Sequence, residues 1–485
     1  MARNLSRNTE LFISTIPPAT FAAGACVGLE ADPADGGNNT WKVNVLDGFS
    51  FSQDVATQEI GVSESSSECT GLGQLARGTL GFNTALNPVD VSFSTYVRPY
   101  NDSGFGLPMC VELPLWAGAL GNQDALTASP AAAGTGIYAE TIAGGGDILT
   151  FSTEMSDVNE LLPLYLYFKL ETTVYVVSEF QVGTAEVDFS IDGIATINWS
   201  GNGTTVQENE SIFDILEDTG TFVAGTDYID VPTTTAASFL RNKLSTMELV
   251  DNQLASAPIS TTITTPPAAG HVIFSAGGMG TDDEYVGGRI RNTEAPAPDE
   301  WVTILSHDDD DATISAADAT ISNAWSNADT IEIYLPAEHA ETIYCIPITG
   351  GTLTLENNIT YLTPEELAIV NQPLSGFTGN RAITGSVTAY LNTGAQGSGG
   401  LLQDLLAKIT EVSNDYAITL HMGGTSSDET RVDFTIAHAQ VSIPSTNVED
   451  VISTEISFNA KSWVGTKQSF EGANEMTIGY YTPGS

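Results

Sequence analysis

Short runs of alternating apolar and polar residues dominate the chain. Glu186-Val-Asp-Phe-Ser-Ile191 sets Val187, Phe189 and Ile191 on one face, the period of a half-buried strand. Leu164-Tyr-Leu-Tyr-Phe-Lys-Leu-Glu171 and Thr173-Val-Tyr-Val-Val-Ser-Glu179 are β-branched and aromatic, and predict two strands around a tight Glu171-Thr172 connection. Helical spacing is rarer. Leu402, Leu405, Leu406 and Ile409 recur at three and four residues, predicting a helix over 401–409 whose stripe lies on a sheet. Ser156-Asp-Val-Asn-Glu-Leu-Leu162, capped by Ser or Asp and stopped by Pro163, predicts its counterpart. Thr363-Pro-Glu-Glu-Leu-Ala-Ile-Val370 predicts a third, with Pro and two Glu in the first turn.

The strand pattern runs twice. Trp41–Gln53 leads through a polar loop to Pro88–Val97, and Ile346–Glu356 leads through another to Arg381–Leu391. The second strands share a frame, Phe93-x-x-Tyr96-Val97 against Val387-x-x-Tyr390-Leu391, and later strands open with Ala185-Glu-Val-Asp-Phe and Ala439-Gln-Val-Ser-Ile. Two repeats of one fold follow, 1–225 and 226–485, with Tyr96 over Tyr390 and Phe189 near Ile443 on superposition. The first carries a long Gly/Ala-rich stretch after Tyr100, including Val111–Gly118. The second carries an insertion over about 256–343, opening on the linker-like Thr264–Gly270 and holding short strands at Trp301–Leu305 and Thr330–Leu335, read as a small β excursion at the outer surface. The class is mainly β.

Charge changes the picture most. Fifteen Lys and Arg face 61 Asp and Glu in 485 residues, a formal charge of −46. Nucleic-acid binders cluster cations to neutralise phosphate, and no such cluster exists here. A solvated acidic surface explains the excess as solubility; a surface that lies close to DNA without holding it explains it too. With 46 Gly, 41% hydrophobic and 16% charged residues the chain is globular rather than disordered. No run approaches eighteen apolar residues and the N-terminus lacks a signal-peptide core, so a cytoplasmic, membrane-free protein is expected.

Candidate chemistry is thin. Cys26, Cys69, Cys110 and Cys345 form no CxxC pair and predict isolated thiols. Asp188-Phe-Ser-Ile-Asp-Gly193 imitates a calcium loop, but its twelfth position is Trp199 where a bidentate Glu is needed, so it reads as a strand ending in a turn. His307-Asp-Asp-Asp-Asp311 can gather a cation, though such runs are usually solvated loops. The histidines at 271, 307, 339, 421 and 438 lack metal spacing, and no serine lies in a G-x-S-x-G elbow. Gly201-Asn-Gly203 reads as a turn rather than a phosphate cradle, and the sequon Asn198-Trp-Ser200 has no secretory route to use it. No catalytic, cofactor-binding or metal-binding residue is expected, and no enzyme.

Five segments in order, Arg3–Thr15, Gly48–Gln53, Phe93–Tyr100, Phe189–Gly201 and Asn357–Glu365, resemble a tail tube protein of a tailed bacteriophage; only the stretch near 256–343 falls outside the likeness. The resemblance implies two repeated β-sandwich or barrel-like domains, each with a flanking helix, whose protomers join sheets around a ring. Rings stack into a virion tail tube that conducts the genome into the host. One-domain protomers make rings of six, so a duplicated chain implies trimers with a pseudo-sixfold wall and an acidic lumen that DNA passes without specific binding. Its partners are then itself, a tape measure protein, tail-terminator and baseplate proteins, and a sheath if the tail contracts, with assembly in the host cytoplasm. Two other readings compete: a tube of the type VI secretion kind, normally unduplicated, and a carbohydrate-binding or adhesin-like β protein displaying Trp116, Trp301 or Trp325.

Overall fold

The computed structural model describes residues 9–482 apart from 19–39, 47, 61–79, 103–106, 121–136, 143–145, 153–160, 191–192, 218–221, 224–227, 229–239, 241, 243–244 and 252–258. From there to the C-terminal end it leaves out 269–270, 275–288, 293–299, 309–310, 315–324, 327–328, 335–342, 365–370, 395–396, 408–413, 424–429, 449–451, 465–466 and 469–474. Two compact units emerge: 1–248 with 345–413 and 417–485, and 249–344 with 414–416.

In the first repeat β1 (Thr9–Ser14) pairs antiparallel with β2 (Thr40–Val43), and β3 (Ser50–Ile60) with β4 (Leu80–Tyr96). Helix α1 (Leu113–Leu120) follows, then β5 (Leu164–Leu170) and β6 (Thr173–Asp188) around the predicted two-residue connection, with Glu171 in the left-handed region at φ 48°. Where the sequence predicted separate strands at 173–179 and 186–191, β6 is one strand of 16 residues. Its register slips between Val177 and Phe180, and Glu179 adopts φ 50°. Such a bulge bends a strand so that its halves serve different sheets. The first half of β6 pairs with β5 and with β8 (Thr205–Glu208); the second pairs with β7 (Thr196–Gly203).

Gly201-Asn-Gly203, expected as a turn, lies within β7. A Cβ on Gly201 would come within 2.1 Å of the Gln181 carbonyl and 2.9 Å of the Phe180 ring, so these glycines admit close packing rather than bend the chain. Helix α2 (Glu210–Glu217), absent from the sequence reading, is capped by Asn209, whose Oδ1 accepts the Ile212 N–H at 3.2 Å. It buries Ile212 against Phe12, Tyr167 and Val174. The repeat is followed by β9 (Thr246–Asp251).

The second unit is a small closed barrel. Its strands β10 (Ile259–Ala268), β11 (His271–Phe274), β12 (Arg289–Asn292), β13 (Glu300–Asp308), β14 (Asp311–Ile314) and β15 (Thr330–Tyr334) run in the order β10-β11-β14-β13-β12-β15. It has its own core, including Ile290, Val302, Ile304, Trp325 and Ile333. Thr264–Ala268, read as linker, is strand. Its register with β11 shifts on both sides of Thr265, so Pro266 and Pro267 fall where the ladder is irregular.

The second repeat comprises β16 (Ile343–Glu356), the hairpin β17 (Thr360–Leu362) with β18 (Ser375–Phe377), β19 (Ala382–Tyr390), helix α3 (Ser398–Ala407), β20 (Tyr416–Met422), β21 (Arg431–Val441), β22 (Ser445–Val448), β23 (Ile452–Ala460) and β24 (Thr477–Thr482). Its strand order, β16-β19-β23-β21/β22, repeats the first repeat's β3-β4-β7-β6. Tyr96 lies opposite Thr196, and Tyr390 opposite Ser453, so the shared tyrosine frame marks one structural position. The chain is mainly β, built on a duplicated domain.

The three helix expectations fall partly outside the described residues. Residues 156–160 and 365–370 lie outside the described residues, and Leu161 and Leu162 are buried in irregular backbone. In α3 the buried positions are Leu401 and Leu405, while Leu406 is 48% exposed. Helix α1 was missed because it is apolar on every side and buried throughout, leaving no stripe to read. The frame joining Phe189 to Ile443 also fails: Phe189 is buried and Ile443 is 46% exposed. Ala185 lies opposite Trp199, whose counterpart is Ile456, but Ala439 lies opposite Ala460. The irregular Ser442–Pro444 between β21 and β22 absorbs that slip. No described helix is long and apolar enough to cross a membrane.

Candidate functional site

The two repeats meet by strand pairing. β6 and β16 are antiparallel neighbours, with Thr184 opposite Glu356, Glu186 opposite Thr354 and Asp188 opposite Thr352. One sheet therefore runs β3-β4-β7-β6-β16-β19-β23 and on to β21 and β22. Because side chains alternate across a strand, its two faces differ sharply. Val89, Val91, Phe93, Ala185, Val187, Ile197, Trp199, Leu353, Leu355, Val387, Ile456 and Phe458 are buried on one side.

The other face carries Ser50, Ser52, Asp54, Asp90, Ser92, Ser94, Thr184, Glu186, Asp188, Asn198, Ser200, Asn202, Thr352, Thr354, Glu356, Thr384, Ser386, Thr388, Ser453, Glu455, Ser457 and Asn459, none of them buried. Every charged residue in that set is a carboxylate. Strands β3, β4, β6, β7, β16, β19, β22 and β23 contain no Lys or Arg at any position. The side chains lie across the strands and bond to one another: Ser50 Oγ to Ser92 Oγ at 2.8 Å, Asn202 Nδ2 to Asp90 Oδ1 at 2.5 Å, Ser94 Oγ to Asn198 Oδ1 at 2.7 Å, and Ser386 Oγ to Glu455 Oε1 at 2.8 Å. Asn198 Nδ2 also reaches Glu186 Oε1 at 3.4 Å. Over these eight strands the face is acidic, short-chained and internally bonded, with no Lys or Arg to grip an anion.

Several described cations of the same unit stand on other elements, in ion pairs. Lys42 and Lys169 contact the two carboxylate oxygens of Glu10 at 2.6 and 3.1 Å, and Lys169 also meets Glu217 at 2.9 Å. Burial pushes the Glu10 carboxyl up, but the bonds and charges of the two lysines outweigh it and hold it below its ordinary value. Arg381 pairs with Glu475 at 2.6 Å and Arg431 with Asp433 at 3.2 Å.

Other polar clusters do not converge on a reaction centre. His421 Nδ1 lies 2.8 Å from Asp433 Oδ1; burial lowers the imidazole, but that bond and the charges of Asp433 and Glu248 raise it overall. Glu112 is wholly buried, and burial lifts its carboxyl to about 8, although its own and Arg98's N–H groups and the Arg98 charge pull the other way. Its carbonyl oxygen accepts the Leu115 and Trp116 N–H groups and so starts α1. Cys110 is buried and Cys345 exposed, both as free thiols; Cys26 and Cys69 lie outside the described residues. Asp188 ends β6, and Gly193 turns the chain by donating to the Ser190 carbonyl. His307 and Asp308 close β13 and Asp311 opens β14, with 309–310 outside the described residues. Among the described residues no group of three or more His, Cys, Asp or Glu is placed to hold a metal ion. Trp116 and Trp325 are core residues, 1% and 2% exposed, and cannot serve as the displayed aromatics of a glycan site; the Trp301 side chain lies outside the described residues.

No family model matches the chain. It is 28% identical over 468 residues to the tail tube protein pb6 of Escherichia phage T5, covering 95% of this chain and 73% of that one. That likeness runs through nearly the whole of a mainly β chain and supports a bacteriophage tail tube protein, a structural component of the virion tail.

Proposed function

We propose that three copies of the chain close into a ring with a pseudo-sixfold wall, that rings stack into the tail tube, and that the cation-free sheet face lines the lumen through which DNA passes. The observation that carries this reading is the continuity of that face from the first repeat into the second through β6 and β16. DNA is densely negative, so opposed carboxylate walls repel it toward the axis even with screening over about 8 Å at physiological salt. Side chains bonded flat across the strands keep the bore clear. In this reading the chain meets copies of itself, a tape measure protein while the tube is built, and terminator and baseplate proteins at the ends. It has no catalytic role. The repeats correspond to residues 1–225 and 226–485, with the barrel of the second unit as an insertion that is dispensable for the channel. Electron microscopy of the purified chain tests this: hollow tubes of threefold rings are expected, and monomers or rings of six whole chains would refute it.

A further inference from the structure

The polar face consists of small polar side chains and carboxylates, but on two strands it ends on a long aromatic one. In β4 it runs Asp90, Ser92, Ser94, Tyr96, and in β19 it runs Thr384, Ser386, Thr388, Tyr390. Each tyrosine has a small hydroxyl residue opposite it, Thr196 and Ser453 respectively. Tyr96 is half-buried and Tyr390 is 57% exposed. The backbone at each is anchored by the segment that opens the following helix. Beyond Tyr96, the Val97 N–H donates to the Ala195 carbonyl at 3.0 Å and the Arg98 N–H to Glu112 Oε1 at 3.2 Å. Beyond Tyr390, Ser398 Oγ donates to the Tyr390 carbonyl at 3.0 Å and accepts the Asn392 N–H at 2.9 Å. A ring presented on a fixed mount suits a contact residue.

The register brings the two tyrosines to one level of a ring. Straight across the rungs, Tyr96 leads through Thr196, Asp188 and Thr352 to Ser386, four residues short of Tyr390. That path crosses four strand spacings of about 4.8 Å, against four residues of about 3.3 Å along the strand. Equivalent positions are therefore level when the strands tilt by roughly 35° from the ring axis, a tilt that closed barrels adopt.

Resting on the lumen reading above, we infer that Tyr96 and Tyr390 from each of the three chains form a collar of phenols at one level of the bore, and that this collar touches the phosphate oxygens of passing DNA. A phenol reaches further from the backbone than the Ser, Thr, Asn, Asp and Glu around it, so it meets the duplex first. Its hydroxyl is an uncharged donor. Hydrogen bonds from such groups to phosphate position a duplex without reading its sequence. No counterion is released, so the contact is indifferent to salt, unlike one made by Lys or Arg. The acidic wall keeps DNA off the rest of the face, and the collars steady it once per ring.

The test measures DNA release from virions whose tubes carry Tyr96→Ala with Tyr390→Ala, Tyr96→Phe with Tyr390→Phe, or Tyr390→Ser alone. Normal tubes are expected from all three; Tyr390→Ser, at the more exposed position, carries the test if a Tyr96 variant fails to fold. Both pairs should release DNA about twofold faster than wild type or more, by the same factor at low and high salt, with Tyr390→Ser between. Fast alanine pairs beside phenylalanine pairs at the wild-type rate would assign the contact to the ring and overturn the bond to phosphate. Wild-type release by all three, with release slowed by Ser200→Lys and Ser457→Lys on the same face, would overturn the collar and leave the lumen reading standing. No response to either set would overturn the lumen reading as well. Variants that unfold like wild type but build no tubes would show that the tyrosines join copies to one another, and would overturn the collar.

Discussion

Gly385 lies directly opposite Phe458 in the second repeat, and at the corresponding positions of the first repeat the sizes are reversed, Val91 opposite Gly201. A Cβ on Gly385 would come within 2.2 Å of the Phe458 ring, just as one on Gly201 would meet the Phe180 ring at 2.9 Å. Each repeat thus allows one large side chain per rung at this level and supplies it from a different strand. The repeats share backbone geometry while their cores are packed independently, which is why identity between them is faint and register is plain.

Gly385→Val alone forces a branched side chain against a buried ring and is expected to cost about 1–3 kcal/mol by overpacking. Phe458→Ala alone leaves a cavity costing about 3–5 kcal/mol. The double variant should lose at least about 1 kcal/mol less than the sum, because valine fills part of the space the ring vacates. Urea unfolding of all four proteins measures that coupling; additivity would mean that the two side chains do not share one space.

Asn357→Ala removes the donor to two buried carbonyls, Ala119 and Val182, at the end of the in-chain joint. Leaving such acceptors unpaired costs about 1–3 kcal/mol. Thermal unfolding should fall accordingly, whereas Asn358→Gly, which removes one exposed bond to the Asn380 carbonyl and tolerates the φ of 48° there, should change little.

Much of this was legible in the chain, and what was not has physical causes. The Glu171-Thr172 hairpin and the Phe93-x-x-Tyr96 frame could be read because alternation and turn chemistry are local. The frame at Ala185 and Ala439 misled because the irregular Ser442–Pro444 shifts one repeat and not the other. Helix α1 has no polar side, so nothing distinguished it from strand or loop. The absence of Lys and Arg from eight strands is written in the sequence, yet only the β6–β16 pairing gathers those strands into one face.

Glu112 makes stability depend on pH in an unusual direction for a carboxylate. Its folded value, about 8, lies above the ordinary 4.5, so between these limits the folded chain binds the extra proton. The stabilisation is fully present below pH 4.5 and is lost as pH rises toward 8, with a slope of up to about 1.4 kcal/mol per pH unit from this one group. Glu112→Gln, which keeps the shape and cannot ionise, should flatten that slope and unfold later than wild type at pH 8. Equal slopes in the two proteins would show that folding does not raise the Glu112 carboxyl above its ordinary value.

The lumen reading makes its own demand on charge. Ser200 and Ser457 lie at corresponding positions of the two repeats, opposite Ser92 and Ser386 on the polar face. Replacing both by lysine places cations at one level all around a ring of three chains, facing inward. Neither side chain is buried, so folding and tube length should be unchanged. Each cation can now hold a phosphate and release its counterion, so DNA release from the assembled virion should slow by roughly tenfold and recover as salt is raised. The matching glutamate variants add repulsion to a wall that already repels and should release DNA at the wild-type rate. If lysine variants form normal tubes and release DNA at wild-type speed at low salt, this face does not line the path of the genome.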